Sequence, residues 1–302
     1  MSGRQDRGIV LVAVLFAVAI MSLMVVAASA LTRSGIASEG LEQRRLASHL
    51  ALRSGLESAK ALIVATPAAQ RAYFEGAPLV MDLGRGLQAE VSIRDAAGLP
   101  DLNRTKLVLV DGLLGAMLGA AEAAELSARI AEWRADAAEK AKAAGTAQPA
   151  MVADSTSNSQ EEKPEQAQQP VIFHAVDQLK AMTEADAAAR LSGRFTVFNP
   201  TGLINPLAAP DDVLLAIPGF TRGDLAAIKS ARKTQAAKAD QGLEAMLERL
   251  KPFAAVRDAT VFIIGVRLSE GPGIITNSTA SAVVQIAEQG PLPFRTLSVS
   301  GL

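Results

Sequence analysis

From Ile9 to Leu31 the chain is almost wholly apolar, and no charge appears between Arg7 and Arg33. An uninterrupted run of this kind limits the fold more than any other feature, because it must be covered by something. A cleaved export signal is one reading: Arg4 and Arg7 precede the run, and Ala28-Ser29-Ala30 has the small residues of a signal-peptidase site. Export signals, however, have apolar cores of about 7–15 residues. This run is longer and fits the roughly 20 residues of a helix that spans a bilayer. The preceding arginines would then hold the N-terminal end in the cytoplasm.

Beyond Arg33 the pattern turns amphipathic. Leu46, Leu50, Leu56, Ala59 and Ile63 recur at roughly helical spacing among Glu39, Glu42, Arg44, Arg45, Arg53, Glu57 and Lys60, and no proline appears before Pro67. One helix from Ile9 to about Ala65 would be near 85 Å long, at about 1.5 Å per residue. Gly35, Gly40 and Gly55 each weaken it by roughly 1 kcal/mol relative to alanine, so local kinks are predicted.

A short basic leader, a glycine, an apolar helix and an amphipathic continuation together resemble a type IV pilin-like precursor. The resemblance implies cleavage by a prepilin peptidase between Gly8 and Ile9, with the apolar helix retained. Most such proteins carry a glutamate at the fifth mature position, where it neutralises the N-terminus of the subunit ahead. Here that position is Ala13. A subunit with no neighbour ahead does not need the charge, and an unpaired carboxylate is expensive in lipid.

Three hundred residues allow one large domain or two modest ones. With 30 basic and 31 acidic residues, no whole-chain attraction to nucleic acid follows. The absence of cysteine excludes disulfides and thiol catalysis. Alternation around Val91 and Ile93 predicts a strand, closed by Gly98 and Pro100. Leu109, Leu113, Met117, Leu126, Ile130 and Trp133 predict helical structure from Thr105 to about Ala144. Gly145 to Pro170, rich in Gln, Ser, Glu and Pro, reads as a mobile loop without apolar residues to bury. A short helix follows at VDQLKAM and a strand at RFTVFNP. The runs TVFIIGVRL, ASAVVQIAE and PFRTLSVS predict a closing antiparallel meander. The expected fold class is α+β: a long N-terminal transmembrane helix on a small antiparallel sheet, pilin-like, with a large inserted α-helical domain.

Four stretches, in order, resemble the minor pseudopilin K family of type II secretion systems. They are VSIRDAAGLPDLN, ARIAEWRADAAE, FHAVDQLKAM and FTVFNPTGLINPLAAPDDVLLAIPGFTRGDLAAI. The family also commonly lacks the fifth-position glutamate. The resemblance implies a leader over 1–8 and a membrane or filament-core helix over 9–31. It continues with an amphipathic helix and the first part of the head (32–104) and an inserted helical domain (105–193) containing the loop 145–170. A return strand with hairpin-containing helices (194–256) and C-terminal strands (257–302) complete it. It implies a structural subunit at the pseudopilus tip, supporting export of folded proteins across the outer membrane. The implied partners are minor pseudopilins I and J, the major pseudopilin, the prepilin peptidase and the inner-membrane assembly platform. The implied location is the bacterial inner membrane, single-pass, with the C-terminal domain in the periplasm.

Two alternatives compete. VLLAIPGFTRGDLAAI resembles a helix-hairpin-helix, which would suit a competence-type minor pilin that binds DNA. Thr221 stands where a second glycine is usual, and Asp211, Asp212 and Asp224 offset Arg222, Lys229, Arg232 and Lys233. Pro218-Gly219 is therefore expected to be a packing turn rather than a phosphate site. The third reading is a secreted protein cut after Ala30. His49 and His174 have no nucleophile or metal partner nearby, and no catalytic residue is expected. Asp95, Asp101 and Asn103 have spacing that calcium could use, although turn formation accounts for them equally well. The family resemblance implies calcium binding in the helical block, but only Asp136 and Glu139 follow Trp133 here. No cofactor or metal is predicted.

Overall fold

A 61-residue helix, α1 (Gln5–Ala65), begins the computed structural model. The structure describes residues 5–84, 86–143, 172–191, 193–234, 241–270, 274–275, 277–287 and 293–302. The side chains of residues 5–13 and 27–38 in α1 are not described, and the loop predicted over 145–170 lies outside the described residues. α1 stops because the residue before Pro67 is pushed out of helical geometry. Its open end is then closed by Arg71 of the short α2 (Ala68–Arg71), whose Nε donates to the carbonyls of Ile63 and Thr66 at 2.9 and 2.8 Å.

Five antiparallel strands form one sheet in chain order: β1 (Glu75–Gly84), β2 (Leu87–Asp95), β3 (Val261–Glu270), β4 (Thr279–Ile286) and β5 (Phe294–Ser300). The alternation in the strands turns one face toward α1. Ala89, Val91 and Ile93 join Phe262, Ile264, Val266 and Leu268 on that face, with Ala280, Ala282 and Val284 beside them. They meet Ala51, Leu52, Leu56, Ala59 and Ile63 of α1. The predicted C-terminal meander is present. β1 is an additional edge strand that its sequence conceals, because Pro78 within it argues against a strand; at an edge, proline breaks no ladder that matters.

The buried face of α1 differs from the predicted one. Leu46 and Leu50 are 61% and 55% exposed. The stripe against the sheet runs instead through Ser48, Ala51, Leu52, Gly55, Leu56, Ala59 and Ile63. Leu46 and Leu56 stand ten residues apart, which at 3.6 residues per turn puts them about 80° apart around the helix. They cannot share a narrow contact.

Between β2 and β3 lies a helical block with its own core. The predicted stretch from Thr105 to Ala144 forms two helices, α3 (Leu107–Met117) and α4 (Ala120–Ala143). Leu118 breaks them apart by adopting extended geometry while burying its side chain, and Gly119 does little to hold a helix together. A 3-10 helix (Val176–Ala181) and α5 (Ala185–Leu191) follow, then α6 (Asp211–Leu215), α7 (Arg222–Thr234) and α8 (Gln241–Leu250). RFTVFNP does not form the predicted strand. Thr196 makes a single parallel bridge to Asp101, and the segment bonds to the Pro100–Leu102 loop instead of a sheet edge.

Gly55 is where α1 comes closest to β3. A Cβ at this position would lie 2.7 Å from Cγ1 of the buried Val266. Its helix-propensity penalty, about 1 kcal/mol, competes with overpacking of about 1–3 kcal/mol in any larger residue. Gly55→Leu is expected to destabilise the head by about 1–3 kcal/mol in urea denaturation. Gly40, with nothing within 4 Å of its added Cβ, should instead gain up to about 1 kcal/mol as Gly40→Ala. Equal effects at the two positions would contradict the close packing.

Candidate functional site

Stretches far apart in sequence meet in a buried polar seam between the sheet and the helical block. Asp101 is at its centre. Its Oδ1 accepts from the backbone N–H groups of Asn103 and Arg104 at 2.8 and 3.1 Å, and its Oδ2 accepts from Asn199 N–H at 3.0 Å. Its own N–H donates to Thr105 Oγ1 at 2.8 Å. Arg134 of α4 closes over the same loop, donating to the carbonyls of Leu102, Thr105 and Asp101 at 2.7, 2.7 and 3.2 Å. The neighbouring Trp133 stacks on Phe173 at 5.6 Å between ring centroids.

Side-chain amides complete the seam by standing in for missing backbone partners. Asn103 accepts from Ile172 and Phe173 N–H at 2.9 and 2.7 Å and donates to the Phe173 carbonyl at 2.9 Å. Asn199 donates to the carbonyls of Leu99 and Leu203 at 3.1 and 3.0 Å. Asn205 donates to Asp95 Oδ2 at 2.8 Å, and Ala97 N–H donates to Asp95 Oδ1 at 3.0 Å. All four stretches that carry the sequence resemblance contribute here. Arg134, Asn199 and Asn205 were not singled out by spacing, because their partners lie tens of residues away.

The oxygens considered for calcium therefore face N–H donors. Asp95, Asp101 and Asn103 do not point at a common centre open to a cation. Among the described residues no group of three or more His, Cys, Asp or Glu side chains is placed to hold a metal. His49 and His174 are exposed, and the backbone N–H of His174 donates to Gln178 Oε1 at 2.6 Å.

Pro218-Gly219 forms the turn between α6 and α7, with Gly219 at φ +79°, where a side chain would be strained. Thr221 caps α7: its N–H and Oγ1 both donate to Asp224 Oδ2 at 2.7 Å, and Asp224 N–H donates back to Thr221 Oγ1 at 3.2 Å. Arg249 of α8 locks the turn, donating to the Gly219 carbonyl and to both Asp224 oxygens. Lys229 pairs with Asp211 at 2.5 Å and Arg232 with Glu75 at 2.6 Å. Carboxylates thus hold Lys229, Arg232 and Arg249, which removes much of the local cation excess that phosphates would need.

Gly8, Ile9 and Ala13 all fall within α1, and their side chains lie outside the described ones. The apolar side chains that are described nearby, from Val14 to Val26, include ten large ones exposed to between 40% and 70%. Among the described residues, no helix is long and apolar enough to cross a membrane. The side chains of residues 9–13 and 27–31 of that run are not among the described ones.

No family model matches the chain, and no curated protein matches it. Among solved structures it is similar to a chain of the GspK-GspI-GspJ complex from the Type 2 Secretion System of enterotoxigenic Escherichia coli. The identity is 15%, the match covers 85% of this chain and 98% of that one, and the TM-score is 0.46. A function does not follow from a likeness at that level.

Burial makes the seam sensitive to pH. Desolvation pushes the Asp95 carboxyl from 3.8 up to about 6, against the hydrogen bonds from Asn205 and Ala97 that favour its charged form. Asp101 is raised in the same direction, again by burial first. Because the folded value of Asp95 exceeds the unfolded one, its stabilising contribution is complete below about pH 4 and is lost as pH rises through about 6. Denaturation free energy should fall across that window, and Asp95→Asn should flatten the fall, leaving the part due to Asp101. A carboxyl carbon resonance of Asp95 titrating at its ordinary value would contradict this.

The paired cations of the hairpin lead to a second expectation. The protein should show no micromolar, salt-sensitive binding to duplex DNA in fluorescence anisotropy. Binding that weakens steeply with salt and disappears in Arg222→Ala/Lys229→Ala would restore the DNA-binding reading.

Proposed function

We propose that the chain is a minor pseudopilin of a type II secretion system, a structural subunit rather than an enzyme. The observation that carries this reading is the division of α1. Its C-terminal part is buried on the sheet, whereas the large apolar side chains from Val14 to Val26 are 40–70% exposed. Exposing so many apolar groups to water is unfavourable by roughly 25 cal/mol per Å². Lipid and then neighbouring helices would cover them, which is what anchorage in the inner membrane followed by entry into a filament provides.

The basic leader, Gly8, Ala13 and the four resembling stretches support the same reading. The head would lie in the periplasm. The helical block inserted between β2 and β3 broadens the head, and together with Ala13 it supports a place at the pseudopilus tip, beside minor pseudopilins I and J. The polar seam would hold that block in place without chemistry of its own.

Mass spectrometry of the mature chain should find Ile9 at its N-terminus. A terminus at Leu31 would overturn the pilin-like reading in favour of an export signal. Light scattering on this head mixed with the heads of the I and J partners should show one discrete ternary complex. Open-ended oligomers would count against the tip position.

A further inference from the structure

Among the described residues, two buried side-chain nitrogens have no hydrogen-bond partner: Nη1 of Arg94 and Nε of Arg232. They belong to one charged cluster, on the side of the sheet away from α1, where the helical block meets it. Arg94 stands on β2 opposite Glu75 of β1, and its neighbours Ile93 and Asp95 turn the other way. Its guanidinium lies across Gly76, where an added Cβ would come within 2.6 Å of Nε and Nη2. Gly76 lies within the register shift between Glu75 and Pro78, and its missing Cβ leaves room for the guanidinium.

The other charges nearby are already committed. Arg232 pairs with Glu75 and donates Nη2 to the carbonyls of Pro206 and Ala209. Arg194 pairs with Asp212. Arg94 forms no ion pair among the described residues. The charges that act on it are Arg194 and Arg232 on one side and Glu75 and Asp212 on the other. Asp211 also acts on Arg232 but is paired with Lys229; three guanidinium groups and Lys229 thus face three carboxylates, and one positive charge is left over. Burial, and then the Arg194 charge, hold Arg94 below the ordinary arginine value, as an unpaired cation there should be held.

We propose that this cluster is a binding site for a single carboxylate, taken by Arg94 with Arg232 beside it. A buried donor on a charged group is expensive to leave unpaired. A water molecule would satisfy an N–H group but leave the surplus charge. A phosphate dianion would exceed that surplus and meet Glu75 and Asp212. A carboxylate matches it, and its two oxygens suit the planar guanidinium fork. The group could belong to a small free acid or to an Asp or Glu side chain of a docking protein. The proposal stands apart from the secretion reading.

The test uses the full chain in detergent, with the Arg Nε–H resonances and the melting temperature as readouts. Acetate should move the Arg94 and Arg232 signals saturably and raise the melting temperature, since a ligand of the folded state stabilises it. Arg94→Gln should weaken acetate binding roughly tenfold or more, because the charged fork is removed. Should that variant fail to fold, Glu75→Gln gives an independent reading: with a larger positive surplus it should bind acetate several-fold more tightly. An end-blocked Gly-Glu-Gly peptide distinguishes the sources. Tighter binding than acetate assigns the site to a protein side chain, and weaker binding assigns it to a free acid. Four results would overturn the proposal. These are no saturation beyond a sodium chloride control up to about 50 mM, tighter binding of inorganic phosphate than of acetate, an unchanged response in Arg94→Gln, or unchanged or weaker acetate binding in Glu75→Gln.

Discussion

Three backbone N–H groups converge on the carboxylate of Asp101, and the joint between the sheet and the helical block depends on that convergence. Loops that leave a sheet and return to it must bury peptide groups, and each buried group needs a partner. Asp101 supplies acceptors on one side of the joint. Arg134 supplies donors on the other, to three carbonyls of the same loop. With both in place, the chain passes from β2 into α3 and is joined across the seam by the Thr196–Asn205 segment, with the backbone groups around Asp101 paired. Without Asp101 three donors would lose their acceptor, two of them buried at about 1–3 kcal/mol each, a large share of the stability of an ordinary domain.

The seam also separates two cores of different character. One is the two-layer contact of α1 with the sheet, built from small and β-branched residues so that Gly55 can approach Val266. The other is the leucine-rich interior of the helical block. The polar joint fixes the register between them through directional hydrogen bonds, which apolar contact alone would not specify. Such a joint fits the structural subunit proposed above. The large apolar side chains of α1 from Val14 to Val26, by contrast, are 40–70% exposed, which fits the filament setting proposed above.

Much of this was legible from pattern. The end of α1 follows from Pro67, although the helix begins at Gln5 rather than Ile9, and the three C-terminal strands follow from alternation bounded by turn residues. β2 was legible in the same way from Val91 and Ile93. β1 was not, because Pro78 masks it, and RFTVFNP was misleading because β-branched and aromatic residues also suit a buried loop. The Leu46–Leu50 face failed for a related reason: spacing shows periodicity, but several helical faces share a leucine. The Pro218-Gly219 turn was legible as a turn, while its neutralisation by Arg249 and Asp224 was not.

The sequence by itself determined the local conformations: a long helix broken at proline, strands where side chains alternate, turns where glycine and proline interrupt. It also determined the balance of charge and the presence of an apolar segment that needs covering. Only the tertiary structure decided which face of α1 is buried, which loops share Asp101, and that Arg94 is drawn into a buried cluster of charges. The physical reason is range. Backbone preference and periodicity act over a few residues, whereas the desolvation of a carboxylate or guanidinium depends on partners brought from across the chain, such as Asn205 to Asp95 and Arg232 to Glu75. Those partners become neighbours only when the two cores close on each other.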